Sequence, residues 1–124
     1  MNAPDRLRAL LKKPDFVVMP AVWDGLTAKL TAAGKPCLPR AEARMKIRAA
    51  VEAAKESGIL VLARTDCRPT QGIDEAVARI EMYVEEGADI LFLDSPADDA
   101  EIGRAIAAAK GRPCLLYTSD AADE

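Results

Sequence analysis

Two apolar runs in this chain finish on charged residues that packing does not explain. "ILVLARTD" is apolar from Ile59 to Ala63 and then ends in Arg64, Thr65 and Asp66. "DILFLDSP" is apolar from Ile90 to Leu93 and ends in Asp94, with Ser95 and Pro96 behind it. A guanidinium presents a planar fork of donors that takes a carboxylate through two parallel hydrogen bonds. An aspartate presents oxygens for a proton, a cation or a bridging water. The structural alternatives are equally concrete. Arg64 can pair with Asp66 and merely seal a strand end, and Asp94 can open a turn with Ser95 and Pro96. On these residues by themselves both readings stand.

The rest of the composition limits the chemistry further. The 124 residues contain no His, which removes the commonest general base and metal ligand. Any chemistry runs on carboxylates, Arg, Lys, Cys or hydroxyls. Cys37, Cys67 and Cys114 are scattered and odd in number, so neither a disulfide framework nor a C-x-x-C metal site is expected. Lys and Arg total 17 against 20 Asp and Glu, mixed along the chain, so no basic face for nucleic acid and no charge block for a membrane surface is expected. "MNAPDRLRALLKK" has no apolar signal region, and no run approaches the ~20 apolar residues of a span. The expectation is a reduced, cytoplasmic protein of one domain.

The elements that must position Arg64 and Asp94 follow from periodicity. A short helix opens at Pro4 and Asp5, carries Leu7, Leu10 and Leu11, and stops at Pro14. "FVVM", Phe16 to Met19, reads as a buried strand. Asp24 is expected to cap a helix carrying Leu26 and Leu30, which Gly34 ends. From Arg40 to Ser57 the residues Ala43, Ile47, Ala50, Val51 and Ala54 keep a helical period, and Gly58 terminates it. Strand Ile59–Arg64, a loop, a helix from about Asp74 to Glu86, strand Asp89–Asp94 and a helix from Ala100 to Lys110 complete the pattern. Strands apolar on both faces alternating with helices imply an α/β fold with a parallel sheet. Trp23 and Met19 are expected in the core. Asp66 is expected to orient Arg64, and Cys67 to be an ordinary loop thiol.

"LRALLKKPDFVVMPAVWDGLTAKL", "LPRAEARMKIRAAVEAAKESGILVLARTD" and "GIDEAVARIEMYVEEGADILFLDSP" resemble successive parts of the isocitrate lyase/phosphoenolpyruvate mutase superfamily. The likeness is to its small members, such as methylisocitrate lyase, dimethylmalate lyase and oxaloacetate decarboxylase, and covers about residues 5 to 113. The resemblance implies a (β/α)8 barrel that acts on small 2-oxo or 2-hydroxy acids through an enolate, with Mg²⁺ at the C-terminal strand ends. It places Arg64 at the family's substrate-binding arginine. It places Asp94 where many members carry a Glu that works near metal and substrate, here one methylene shorter. Asp94 is therefore a candidate catalytic residue and Arg64 a candidate substrate-binding residue.

The sequence also departs from that family. Between "TAAG" and "KPCLP" the resemblance calls for roughly 85 more residues, three units of a ~250-residue barrel. The Ser-Gly substrate segment, the D-x-D carboxylates that hold Mg²⁺ and the K-[KR]-C-G-H loop with the catalytic Cys belong to that stretch, and none occurs elsewhere in this chain. Cys37 lies beyond the junction near residues 34–36 and does not match the catalytic Cys. The tail "CLLYTSDAADE", Cys114 to Glu124, is similar to translated adapter sequence rather than to the family. The expectation is an incomplete barrel over residues 1–113 with a non-native tail over 114–124. No metal ligand is expected in this chain, nor Mg²⁺ bound by it. Such a piece of a lyase is expected to be inactive and to associate through exposed sheet edges. The alternative is a non-catalytic oligomerising or partner-binding module derived from the same barrel.

Overall fold

The structure, a computed structural model, describes residues 5, 8–9, 12, 21–22 and 37–117. The expected strand Phe16–Met19, the helix of Leu26 and Leu30, Trp23, Asp24 and the junction at 34–36 lie outside these residues. Of the expected first helix, Asp5, Arg8 and Ala9 are described as helical, with Arg8 paired to Asp5 at 3.2 Å.

The described elements run in the order β1 (Ala21–Val22), α1 (Arg40–Ser57), β2 (Leu62–Thr65), α2 (Arg68–Gln71), α3 (Ile73–Glu86), β3 (Ile90–Asp94), α4 (Asp99–Ala108) and β4 (Cys114–Tyr117). The four strands form one sheet in the order β1-β2-β3-β4, and every neighbouring pair is parallel. This is the α/β fold with a parallel sheet that the alternation of elements predicts.

Helix α1 occupies the residues that periodicity assigns to it. Its C-terminus is closed by Gly58 at φ 71°, whose N–H donates to the Ala54 carbonyl. Helix α3 ends on Gly87 for two reasons. Its φ of 97° favours glycine, and a Cβ there would sit 3.2 Å from Val51 Cγ1 of α1. The helices therefore approach where a side chain is missing.

Some element bounds differ from the sequence reading. Strand β2 begins at Leu62 rather than Ile59, because the Val61 N–H donates to the Asp89 carboxylate at 2.9 Å instead of to a backbone carbonyl. It also continues one residue past Arg64, to Thr65. The expected loop after Asp66 contains α2, with a proline in its first turn. Helix α4 starts at Asp99 and stops at Ala108, since Lys110 and Gly111 turn to φ 49° and 80°. Cys114–Tyr117, which fall in the expected tail, form β4, which pairs Leu91 to Cys114 and Asp94 to Tyr117. "SDAADE" lies outside the described residues.

The two faces of the sheet differ. Side chains alternate along a strand, so Ala63 of β2 and Leu91 and Leu93 of β3 point one way. They join Ala43 and Ile47 of α1, Ile80 and Tyr83 of α3, and Ala105 of α4 in the main core. Leu62, Ile90 and Phe92 point the other way and form a second, smaller cluster with Leu60. Ion pairs bind α1 to α3: Arg44 reaches Glu85 and Glu86 at 2.9 and 2.7 Å, Arg48 reaches Glu86 at 2.7 Å, and Arg40 pairs with Glu75. Arg79, only 2% exposed, donates to the Leu38 carbonyl at 2.6 Å and to Glu75 at 2.9 Å. The loop before α1 is thereby fastened to α3.

Candidate active site at the C-terminal strand ends

Register brings the candidate residues together. Arg64 stands opposite Phe92, and Asp94 lies two residues further along β3, so all three share the sheet face opposite the described helices. The Arg64 Nη2 donates to Asp94 Oδ1 at 2.9 Å, and its Nε donates to Asp66 Oδ1 at 2.5 Å. Its guanidinium carbon lies 4.6 Å from the centroid of the Phe92 ring, a cation–π distance. Asp94 is 8% exposed, and its second oxygen accepts from the Ser95 hydroxyl at 3.1 Å. Two carboxylates and one aromatic ring therefore fix the plane and position of one guanidinium.

The loops around this group are also held. Arg68 of α2 forms a two-pronged pair with Glu101 of α4, at 2.9 and 3.0 Å. The Glu101 carboxyl is held below its ordinary range, first by Arg68 and then by the Ala97 N–H that donates to it. Asp98 caps α4 by accepting from the Glu101 N–H at 2.8 Å.

The remaining candidates fall elsewhere. Cys67 is fully buried and accepts from the Thr65 hydroxyl at 3.1 Å. Cys37 is partly buried against the main core, and burial pushes the Cys114 thiol upward. Phe92 and the Arg68–Glu101 pair are not singled out by the sequence, and Ser95 is expected only as a turn residue beside Asp94. The two-residue spacing of Phe92 and Asp94 is the one signal that puts the ring on the arginine's face. The φ of 54° at Ser95 and the Arg68–Glu101 match carry no sequence signal.

A divalent magnesium ion is a poor fit here. It takes a near-octahedral set of oxygens, whereas Asp66 and Asp94 each already give one oxygen to the Arg64 guanidinium. Among the described residues, no three Cys, Asp or Glu side chains converge into a cation cage. No helix among them is long and apolar enough to cross a membrane.

Residues 31–122 match the phosphoenolpyruvate phosphomutase family. The chain belongs to the phosphoenolpyruvate mutase/isocitrate lyase superfamily. It is 42% identical over 71 residues to a 2,3-dimethylmalate lyase of Eubacterium barkeri, covering 57% of this chain and 25% of that protein. It is 38% identical over 86 residues to an oxaloacetate decarboxylase of Paraburkholderia xenovorans, covering 68% of this chain and 28% of the relative. A solved structure of oxaloacetate acetylhydrolase with its product oxalate superposes with a TM-score of 0.61 at 31% identity, over 66% of this chain and 29% of that one. The chain thus spans about a quarter of the length of the curated superfamily members it matches. The solved superfamily members are barrels, and the sheet described above corresponds to part of one.

Proposed function

We propose that this chain carries the carboxylate-holding part of a carbon–carbon lyase acting on small 2-oxo or 2-hydroxy acids, and that alone it does not turn them over. The observation that supports this reading is the Arg64 guanidinium, held by Asp66, Asp94 and Phe92 at the C-terminal end of parallel strands. Ligands of barrels and open α/β sheets bind at that end.

In the proposed role Arg64 grips the carboxylate of the acid through parallel hydrogen bonds and so fixes the plane of the adjacent carbonyl or hydroxyl carbon. Cleavage of the neighbouring carbon–carbon bond leaves an electron pair that delocalises as an enolate, and the nearby positive charge favours it. Asp94, tied to both Arg64 and the Ser95 hydroxyl, sets the guanidinium's orientation and presents an oxygen for a bridging water. Magnesium and the proton donor belong, in this reading, to carboxylates and a Cys loop that this sequence does not contain. Isolated binding groups do not replace such a unit.

The test is an assay of the chain with magnesium and 2-methylisocitrate, 2,3-dimethylmalate or oxaloacetate. The expected rate is that of buffer, and metal-dependent turnover well above it would overturn the reading. In parallel, oxalate added at millimolar concentration is expected to shift the Arg64 Nε resonance in a ¹H–¹⁵N spectrum, and Arg64→Ala removes the signal. A resonance that does not respond to any of these acids would remove the carboxylate subsite from the proposal.

A second reading, a non-catalytic oligomerising module, has one observation in its favour. Strand β4 closes one side of the described sheet, and its Leu115 is 45% exposed. Parallel edges of this kind pair with other chains. Light scattering that gives a discrete dimer, with no response to the acids above, would favour it.

A further inference from the structure

We propose that Arg68 and Glu101 form the positioning pair that keeps Asp94 and Ser95 against Arg64. The two strands that carry the site end in separate loops, and nothing in a parallel sheet fixes one loop against the other beyond the last ladder bond. Arg68 opens α2, directly behind Arg64, Asp66 and Cys67. Glu101 sits in the first turn of α4, directly behind Asp94 and the loop 95–98. Their two hydrogen bonds, Nε to Oε2 at 2.9 Å and Nη2 to Oε1 at 3.0 Å, therefore bridge one loop to the other.

Glu101 also grips its own loop. Its Oε2 accepts from the Ala97 N–H at 2.7 Å, and its N–H donates to Asp98 Oδ1 at 2.8 Å. The loop is thus held at Ala97 and Asp98, while Asp94 is held at its other end by Arg64 at 2.9 Å. Ser95 lies between these two fixed ends, at φ 54°. A residue with a side chain stays in that left-handed region only when its surroundings over-determine it. The bidentate pair and the strained serine are independent observations, and both describe a loop fastened at two points. Arg68 and Glu101 touch no proposed substrate; they act through Arg64 and Asp94. The functional meaning of the pair rests on the carboxylate-holding reading of Arg64, whereas its effect on geometry does not.

The experiment uses the full chain and reads solvent exchange of the Arg64 Nε–H, the proton that Asp66 accepts, by ¹H–¹⁵N spectroscopy near pH 6. Arg68→Ala is expected to raise that exchange about tenfold, by freeing the loops from a charge-assisted tie. Arg68→Lys, which keeps the charge but loses the fork, is expected to fall between the two. Arg44→Ala breaks the Arg44–Glu85 and Arg44–Glu86 pairs, at 2.9 and 2.7 Å, which join α1 to α3 away from the site. It is expected to leave Arg64 exchange unchanged even where its effect on the urea midpoint equals that of Arg68→Ala. Backbone amides of β2 and β3 report whether each variant is folded. Arg64 exchange that is the same in the parent, Arg68→Ala and Arg68→Lys overturns the proposal. If exchange responds as expected but oxalate leaves Arg64 unmoved, the positioning pair stands and the substrate reading falls.

Discussion

Arg64 of β2 lies directly opposite Phe92 of β3, with its guanidinium carbon 4.6 Å from the centre of the ring. The contact follows from register. In a parallel pair, residues opposite one another project to the same face, so the aromatic ring is the floor on which the charged group rests. Phe92→Leu keeps most of the apolar area and removes the ring's attraction. It is expected to lower stability by about 1 kcal/mol and to sharpen the salt dependence of the arginine's ion pairs. Equal urea midpoints for the two proteins would show that the ring is only packing.

Removing the arginine itself is expected to cost more. Asp66 and Asp94 are both largely shielded from water, and Arg64 bridges them. Arg64→Ala leaves two carboxylates close together without that cation, an arrangement expected to cost about 3 kcal/mol. A second substitution, Asp94→Asn, in the same chain should recover part of the loss. A double variant as unstable as the sum of the singles would show that the groups do not interact.

Arg79 provides a comparison away from the site. It is nearly fully buried on α3 and satisfies the Leu38 carbonyl, which precedes α1. Arg79→Met retains the aliphatic stem but leaves that carbonyl without this donor, at an expected cost of about 2 kcal/mol. Amide exchange should rise first at residues 37–41, because the loop loses its fastening there. Protection that falls uniformly across the chain would contradict a local latch.

Stability should depend on acid pH in a predictable direction. Arg40, Arg48 and Arg68 hold the carboxyls of Glu75, Glu86 and Glu101 below their ordinary 4.5, chiefly through hydrogen bonds. A carboxyl whose pKa is lower folded than unfolded adds stability above the unfolded value and loses it as pH falls through the folded one. The urea midpoint should therefore be level near neutrality and decline from about pH 4.5 downward. Glu86→Gln should lower the neutral midpoint and flatten the acid slope. An unchanged slope in that variant would sink the assignment.

Ser95 is expected to respond in the opposite sense to most substitutions. Its φ of 54° suits glycine, so Ser95→Gly should relieve strain worth about 1 kcal/mol, offset in part by the lost hydroxyl on Asp94. Ser95→Val, β-branched, should be clearly destabilising. A valine variant as stable as the parent would mean that the loop relaxes freely.

The sequence by itself determined the alternation of strands and helices, because apolar period and the Gly58 and Gly87 stops are local properties of the chain. It also determined that Arg64 and Asp94 end apolar runs, and the motifs around them carried the family. The Arg64–Asp66 pairing, two residues apart, was legible as well, whereas tertiary structure decided that Arg64 also meets Asp94 and Phe92. Strand order and register are set by pairing between segments some thirty residues apart in the chain, through the α3 crossover, and no local pattern encodes them. The same holds for the first residues of β2, where the Asp89 side chain takes the Val61 N–H and shortens the ladder. Phe92 beneath the guanidinium, Ser95 in its left-handed turn and the Arg68–Glu101 tie appear only once two strand ends meet at one edge. Phe92 and Arg64, and Arg68 and Glu101, are distant in sequence and close only in space.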